Sequence, residues 1–248
     1  MTGISEAVIL MAGEGSRLRG SDDTFLKPFV QLLGRPLISY VLDALIRAGI
    51  KTVNFVVGYE SGRMIEQARQ LIPAGLSVSF IENRDWQKQN GISLLSAADC
   101  VSKPFFLTMS DHLFDGALVG CLLDSFEPGF LSIAVDRKLD SIFDLEDAMK
   151  VQTRGATITN IGKNLRQYDA IDTGLFVCPV QIFDYLERAK SGSRQSDCSL
   201  ADGVRLMAGD KKVRAVDIGN AWWQDVDTPQ MLKQAERQMS ERLQSAAT

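Results

Sequence analysis

The stretch MAGEGSRLRGSDDTFLKPF, residues 11–29, decides the fold. It closes an apolar run from Ala7 to Ala12 that has the length and composition of a buried strand. Gly13, Gly15 and Arg17 come directly after that run, and Lys27-Pro28 stands ten residues beyond Arg17. Glycines that follow a strand let backbone N–H groups approach an anion, and two cations on one short loop match several phosphates. Two other phosphate loops fit less well. A Rossmann dinucleotide fingerprint needs a third glycine where Leu18 stands. A P-loop would account for the four residues between Gly15 and Gly20, but Ser21-Asp22 replaces its Lys and Ser/Thr. The bland alternative is a tight turn carrying two solvated charges.

Outward from this loop, short runs rich in Val, Ile and Phe alternate with segments of helical period. Strands are expected at 7–11, 52–57, 77–81, 105–109 and 131–135, and helices at 36–48, 61–71, 91–100 and 116–126. Pro36 reads as a first-turn proline and Gly49 as a helix stop. After residue 136 the rhythm changes: 150–153 and 157–161 read as a hairpin, followed by a strand at 170–177. Helices at 179–189 and 199–208, a strand at 213–218 and a helix from Thr228 follow. The expected class is α/β, a Rossmann-like mixed, mostly parallel sheet with helices on both faces. One domain over 1–248 is expected, its nucleotide part about 1–135 and its acceptor part about 136–248.

The 45% hydrophobic content supports a sizeable core, and a net charge of −4 argues against sequence-independent nucleic-acid binding. Four scattered cysteines and one histidine offer no zinc-ligand spacing, so the thiols read as reduced and structural. No stretch reaches the eighteen or so apolar residues of a membrane span, and residues 1–10 lack a secretory pattern. A cytoplasmic protein with no membrane insertion is expected.

Residues 106–112, FLTMSDH, read as a buried strand ending in an acid, and open α/β sheets bind ligands at the carboxyl ends of their strands. Asp111 is therefore a candidate ligand for Mg²⁺, an ion held by a carboxylate or two together with phosphate oxygens and water. A lone Asp after a strand is more often a turn residue, so a second acid is needed. Residues 222–229, WWQDVDTP, supply Asp225 and Asp227, although Asp227-Thr228-Pro229 also reads as a helix start. Asn90 reads as an N-cap; alternatively Gly91 lets a flat base lie close while Asn90 and Ser93 read its polar edge. His112 would orient a phosphate, buttress Asp111 or be a satisfied structural histidine. A general base is not required, because a phosphate monoester with a second pKa near 6 is already largely dianionic.

The loop at 11–18 together with Lys27-Pro28 resembles the signature of sugar-phosphate nucleotidyltransferases. NGISLL (90–95), MSDHLF (109–114), DTGLF (172–176) and WQDVDT (223–228) are most similar to CTP:inositol-1-phosphate cytidylyltransferases. The resemblance implies that Met11, Ala12, Gly13, Glu14, Gly15 and Ser16 wrap CTP, that Arg17 meets the β- and γ-phosphates and that Lys27 meets the α-phosphate. It maps the second Mg²⁺ ligand onto Asp225, with Asp227 structural and the fallback ligand. It places His112, Asp136, Asp172 and Gly174 beside the acceptor, a small phosphorylated alcohol. Inositol 1-phosphate is the favoured acceptor; phosphocholine, 2-aminoethylphosphonate and sugar 1-phosphates are the alternatives. A homodimer is compatible with this reading. Relatives of this kind are often fused to a membrane phosphotransferase, so a lipid step would need another protein. The reading from another class, a silent nucleotide-binding subunit, would have lost Lys27 or an acidic ligand, and both are present.

Overall fold

The structure, a computed structural model, describes residues 3–19 and 25–246. Gly20, Ser21 and Asp22, which enter the comparison with the P-loop, lie outside the described residues. In chain order the elements are β1 (Glu6–Met11), α1 (Ser16–Arg19), β2 (Gln31–Leu32), β3 (Arg35–Pro36), α2 (Leu37–Arg47), β4 (Thr52–Val57) and α3 (Ser61–Arg69). Next come β5 (Ser77–Glu82), α4 (Asn90–Leu95), β6 (Phe105–Met109), β7 (His112–Phe114), α5 (Ala117–Asp124) and β8 (Leu131–Asp136). The chain continues with β9 (Lys150–Arg154), β10 (Thr157–Gly162), β11 (Ala170–Cys178), α6 (Ile182–Gly192), α7 (Leu200–Gly209), β12 (Val213–Asp217), β13 (Trp223–Asp225) and α8 (Pro229–Ala246).

Nine strands form one sheet in the order β5-β4-β1-β6-β11-β8-β12-β10-β9, and all but β10 and β11 run in one direction. The expected mixed, mostly parallel sheet is what forms. The alternation of β1 shows why: Val8 and Leu10 enter one core, while Ala7, Ile9 and Met11 enter the other. α4, α6 and α7 cover the first face through Leu94, Leu186 and Val204. α2, α3 and α5 cover the second through Leu42, Met64 and Leu122. A third, smaller cluster of Leu32, Leu37, Leu113, Val226 and Ala235 lies where α8 meets the short hairpins.

Some local expectations shift. Pro36 stands at the N-cap of α2, with ψ 142°, because it still pairs with Gln31 in the β2–β3 hairpin. α4 ends at Leu95 rather than near residue 100; Ser96 Oγ donates to the Ile92 carbonyl at 3.1 Å, a local bond that competes with helix continuation. Gly49, at φ +89°, stops α2 as expected. Neither β7 nor β13 is legible as a strand in the sequence, since each has only three residues.

Candidate active site

At the carboxyl end of β1 the Ala12 carbonyl accepts from the Tyr59 N–H at 2.9 Å, and the chain then turns through Gly13-Glu14-Gly15 into α1. Gly15 has φ +67°, and a Cβ there would lie 2.8 Å from the Lys27 Cβ. Both the left-handed backbone and the approach of the lysine stem therefore require glycine. Lys27 starts a single 3₁₀ turn, Lys27–Phe29, and its buried ammonium donates to both Asp111 and Asp227.

Asp111 sits in the turn between β6 and β7. β7 pairs antiparallel with β13, with His112 opposite Asp225, and the Val226 N–H donates to the Asp111 carbonyl at 3.0 Å. This two-stranded ribbon brings Asp225 and Asp227 beside Asp111 across more than a hundred residues of sequence. Thr228, not Asp227, caps α8: its Oγ1 accepts from the Met231 N–H at 3.2 Å. That leaves the Asp227 carboxylate for Lys27 and for Arg17 Nη2, 2.6 Å away. The assignment of Asp227 to structure is corrected accordingly: it is a member of the charged cluster.

The cluster perturbs its own protonation. Burial alone would lower the Lys27 pKa, but Asp111 and Asp227 outweigh it and hold the ammonium above its ordinary range. Burial would raise the Asp111 carboxyl, yet Lys27 and His112 hold it far below the usual carboxylate range. Burial opposes a charged His112, but Asp111, whose Oδ1 lies 2.7 Å from Nδ1, and then Asp225 keep it above its ordinary value. Asp225 is raised, first by burial and then by the like charges of Asp227 and Asp111. Asp172 is pushed up to about 6 by burial, against the Gly174 N–H that donates to it at 2.8 Å and the charge of His112.

Two cavities open on this cluster. One, of about 320 Å³, is lined by the 10–13 and 15–17 segments, Lys27, Pro28, Trp86, Lys88, Ser93 and Ser110. The other, of about 390 Å³, is lined by His112, Asp136, Lys138, Lys163, Asp172, Trp223 and Asp225 among others. They share Arg17, Asn90, Met109, Asp111 and Asp227, so the charged cluster is the wall between them.

Most of the residues singled out from sequence line one of these spaces, with corrections. Glu14 lines neither cavity. Asn90 is the first residue of α4 rather than its N-cap, which is Gln89, and its Oδ1 accepts from the Leu200 N–H at 2.8 Å, tying α4 to α7. Gly91 is needed for packing rather than for a base: a Cβ there would lie 2.5 Å from the Cys198 carbonyl oxygen. Gly174, at φ +75°, lines the larger cavity, but a Cβ on it would collide with the His112 ring, so it makes room for the histidine. Ser93 lines the smaller cavity and is held by Asn83. Asp136, buried at the end of β8, accepts from Trp223 Nε1 at 3.0 Å and from the Lys138 N–H at 2.8 Å. Lys163 and Asp147, missed in the sequence, pair with each other, and Asp147 also takes Arg17 Nη1 at 2.9 Å. Lys163 stands just past β10, and only the hairpin geometry brings it to this cavity.

A sequence model of the MobA-like NTP transferase domain matches residues 7–143, more than half of the chain. The chain belongs to this family. The family match covers the glycine loop, Lys27 and Asp111, whereas Asp225 and Asp227 lie beyond it. Full-length similarity extends further. A bifunctional IPC transferase and DIPP synthase of Rubrobacter xylanophilus is 33% identical over 231 residues, 93% of this chain and 51% of the relative. The protein of the same description from Aquifex aeolicus is 29% identical over 94% of this chain and 51% of its own length. The chain thus spans about half the length of the curated relatives it matches. The solved structure of the inositol-1-phosphate CTP transferase from T. maritima superposes with a TM-score of 0.84 at 28% identity, covering 96% of this chain and 95% of that one. A UDP-glucose pyrophosphorylase complexed with UDP-glucose shares the fold, at TM-score 0.79 and 16% identity over 96% and 99% of the two chains.

Proposed function

We propose that this protein transfers CMP from CTP to a small phosphate monoester, inositol 1-phosphate, giving a CDP-alcohol and pyrophosphate. The observation that carries the reading is the shared wall: a glycine-loop cavity that holds Lys27 and a second cavity meet at Arg17, Asp111 and Asp227, and the two aspartates grip that lysine. A nucleotide in the first and an acceptor in the second would meet there. The likeness to the inositol-1-phosphate CTP transferase structure over nearly the whole of both chains supports the choice of substrates.

The acceptor phosphate oxygen forms a bond to the α-phosphorus of CTP, and the bond from that phosphorus to the bridging oxygen breaks, releasing pyrophosphate. Lys27, charged throughout the physiological range, offsets the negative charge that grows on the α-phosphoryl oxygens. Arg17 exchanges Asp147 for the triphosphate tail. Lys163 and the His112 ring, held as a donor by Asp111, orient the acceptor phosphate, which brings no proton to remove. Asp136 and Asp172 accept hydrogen bonds from the alcohol's hydroxyls.

The carboxylates fit a divalent cation. Asp111 and Asp227 converge on a single ammonium, and the raised Asp225 carboxyl stands beside them with no cation paired to it among the described residues. An all-oxygen set of two carboxylates suits Mg²⁺, which keeps water and phosphate oxygens as its other ligands. Asp111 would hold it with Asp227 or Asp225, and the ion would neutralise charge on the triphosphate.

The test is pyrophosphate release from CTP with inositol 1-phosphate, phosphocholine, 2-aminoethylphosphonate and a set of sugar 1-phosphates. Turnover confined to inositol 1-phosphate is expected, and loss of it in Asp111→Ala with the fold retained. Rapid turnover with another acceptor replaces the substrate assignment. CTP binding without turnover on any acceptor returns the protein to a silent nucleotide-binding subunit.

A further inference from the structure

We infer that Asn83 sets the polarity of the Ser93 hydroxyl, so that the nucleotide cavity presents a hydrogen-bond donor to ring position 3 of a pyrimidine and selects cytosine over uracil. The inference rests on the proposed use of CTP and deepens it.

Asn83 is only 2% exposed, in the turn after β5, where its N–H donates to the Val57 carbonyl at 2.7 Å. Its side-chain amide has a settled orientation, because Oδ1 accepts from the Asp85 N–H at 2.9 Å. A backbone N–H can only donate, so the other end must be the NH₂ group. That group donates to Ser93 Oγ at 3.0 Å. Ser93 is 5% exposed and lines the smaller cavity beside Trp86 and Lys88. With one lone pair taken by Asn83, its O–H meets no acceptor among the described residues, whereas the neighbouring Ser96 bonds back to the Ile92 carbonyl. Accepting a second hydrogen bond from a bound base would leave that buried proton unsatisfied. The hydroxyl therefore donates. Cytosine offers an acceptor at N3, and uracil offers an N–H at the same place. Asn83 is thus a positioning residue, acting on the base through Ser93.

The experiment measures equilibrium binding of CTP and of UTP to the full chain at pH 8, without acceptor. The wild type is expected to favour CTP on the order of tenfold. In Asn83→Asp the Asp85 N–H is still satisfied, but the second carboxylate oxygen takes the Ser93 proton and turns the serine lone pairs toward the base. The CTP:UTP preference should fall about tenfold, to parity or below. Ser93→Ala should weaken CTP while leaving UTP nearly unchanged, and Asn83→Asp/Ser93→Ala should match Ser93→Ala in its preference. Equal binding of CTP and UTP by the wild type overturns the inference, and so does an unchanged preference in Asn83→Asp or in Ser93→Ala. Pyrophosphate release with inositol 1-phosphate is read separately. Selective CTP binding that responds to both substitutions, with no pyrophosphate released, supports the inference while overturning the transfer reading.

Discussion

The two cavities are built in opposite ways. The smaller one is built around a single local segment: the end of β1, the left-handed Gly15, Arg17 and Lys27 all fall within residues 10–28, joined by Trp86, Lys88 and Ser93. The larger one mixes apolar walls with charged side chains drawn from segments far apart in sequence, among them the end of β8, the loop before β9, the residue after β10, β11 and β13. A backbone cradle fits any nucleoside triphosphate tail, because phosphates are alike. A side-chain lining is adjustable, and on the proposed reading it carries the choice of acceptor. The contrast teaches where substitutions should act on the handling of the triphosphate and where on the choice of acceptor.

The sharpest way to break that division is at the shared wall. Lys27→Ala removes the cation that binds Asp111 and Asp227, the two acids lining both cavities, and should lower kcat about a hundredfold to a thousandfold. It also leaves Asp111 and Asp227 facing each other in a mostly buried site, so thermal unfolding should shift down, and lowering the pH should restore part of the loss. A kcat within a few-fold of wild type would mean that the wall is structural only.

Next in size is the difference between the two acids of the 222–229 segment. Asp227→Ala should cost more activity, and demand more Mg²⁺ for half-maximal rate, than Asp225→Ala, because Asp227 shares Lys27 with Asp111. Titrating Mg²⁺ against rate in both variants decides it. The reverse ranking would restore Asp225 as the second ligand.

Asp172 separates the halves by pH. Its carboxyl is pushed up to about 6 in the fold, so the native state holds a proton that the unfolded chain releases near pH 4. Stability from this group is present at low pH and falls as pH rises through that window. Asp172→Asn should therefore gain on the order of 2 kcal/mol over wild type at pH 8 and nothing at pH 4, read from denaturant melts. The same substitution should weaken acceptor use at pH 8 without touching CTP affinity. A matched loss of both would place Asp172 outside the acceptor half.

The smallest effect belongs to Asp147, which takes Arg17 and Lys163 at the exposed rim. Asp147→Asn should tighten CTP binding by about twofold to fivefold by freeing Arg17, since exposed pairs contribute at most about 1 kcal/mol. Weaker CTP binding would show instead that the pair holds Arg17 in place for the nucleotide.

What could be read from sequence follows the same line. The loop from Met11 to Arg17, Lys27 and Asp111 each sit at a strand end or in a local glycine pattern, so neighbouring residues reveal them. Lys163 and Asp147 carry no such mark; a sheet order that places β9 and β10 near β11 is what brings them in. Asp-Thr-Pro is a fair helix start that leaves the cap open between Asp227 and Thr228, and only the structure shows Thr228 taking it. Gly91 lines neither cavity, whereas Gly174 lines the larger one. What each one touches, the Cys198 carbonyl and the His112 ring, lies far along the chain.

The β7–β13 ribbon has a consequence for how the protein is made. A chain emerges from the ribosome amino end first, so the cradle of backbone amides is complete while the strand that carries Asp225 is still unsynthesised. Until that last short strand zips onto its partner, a growing polypeptide holds Lys27 and Asp111 but neither Asp225 nor Asp227. On the proposed reading, reactivity is thereby withheld from every unfinished copy.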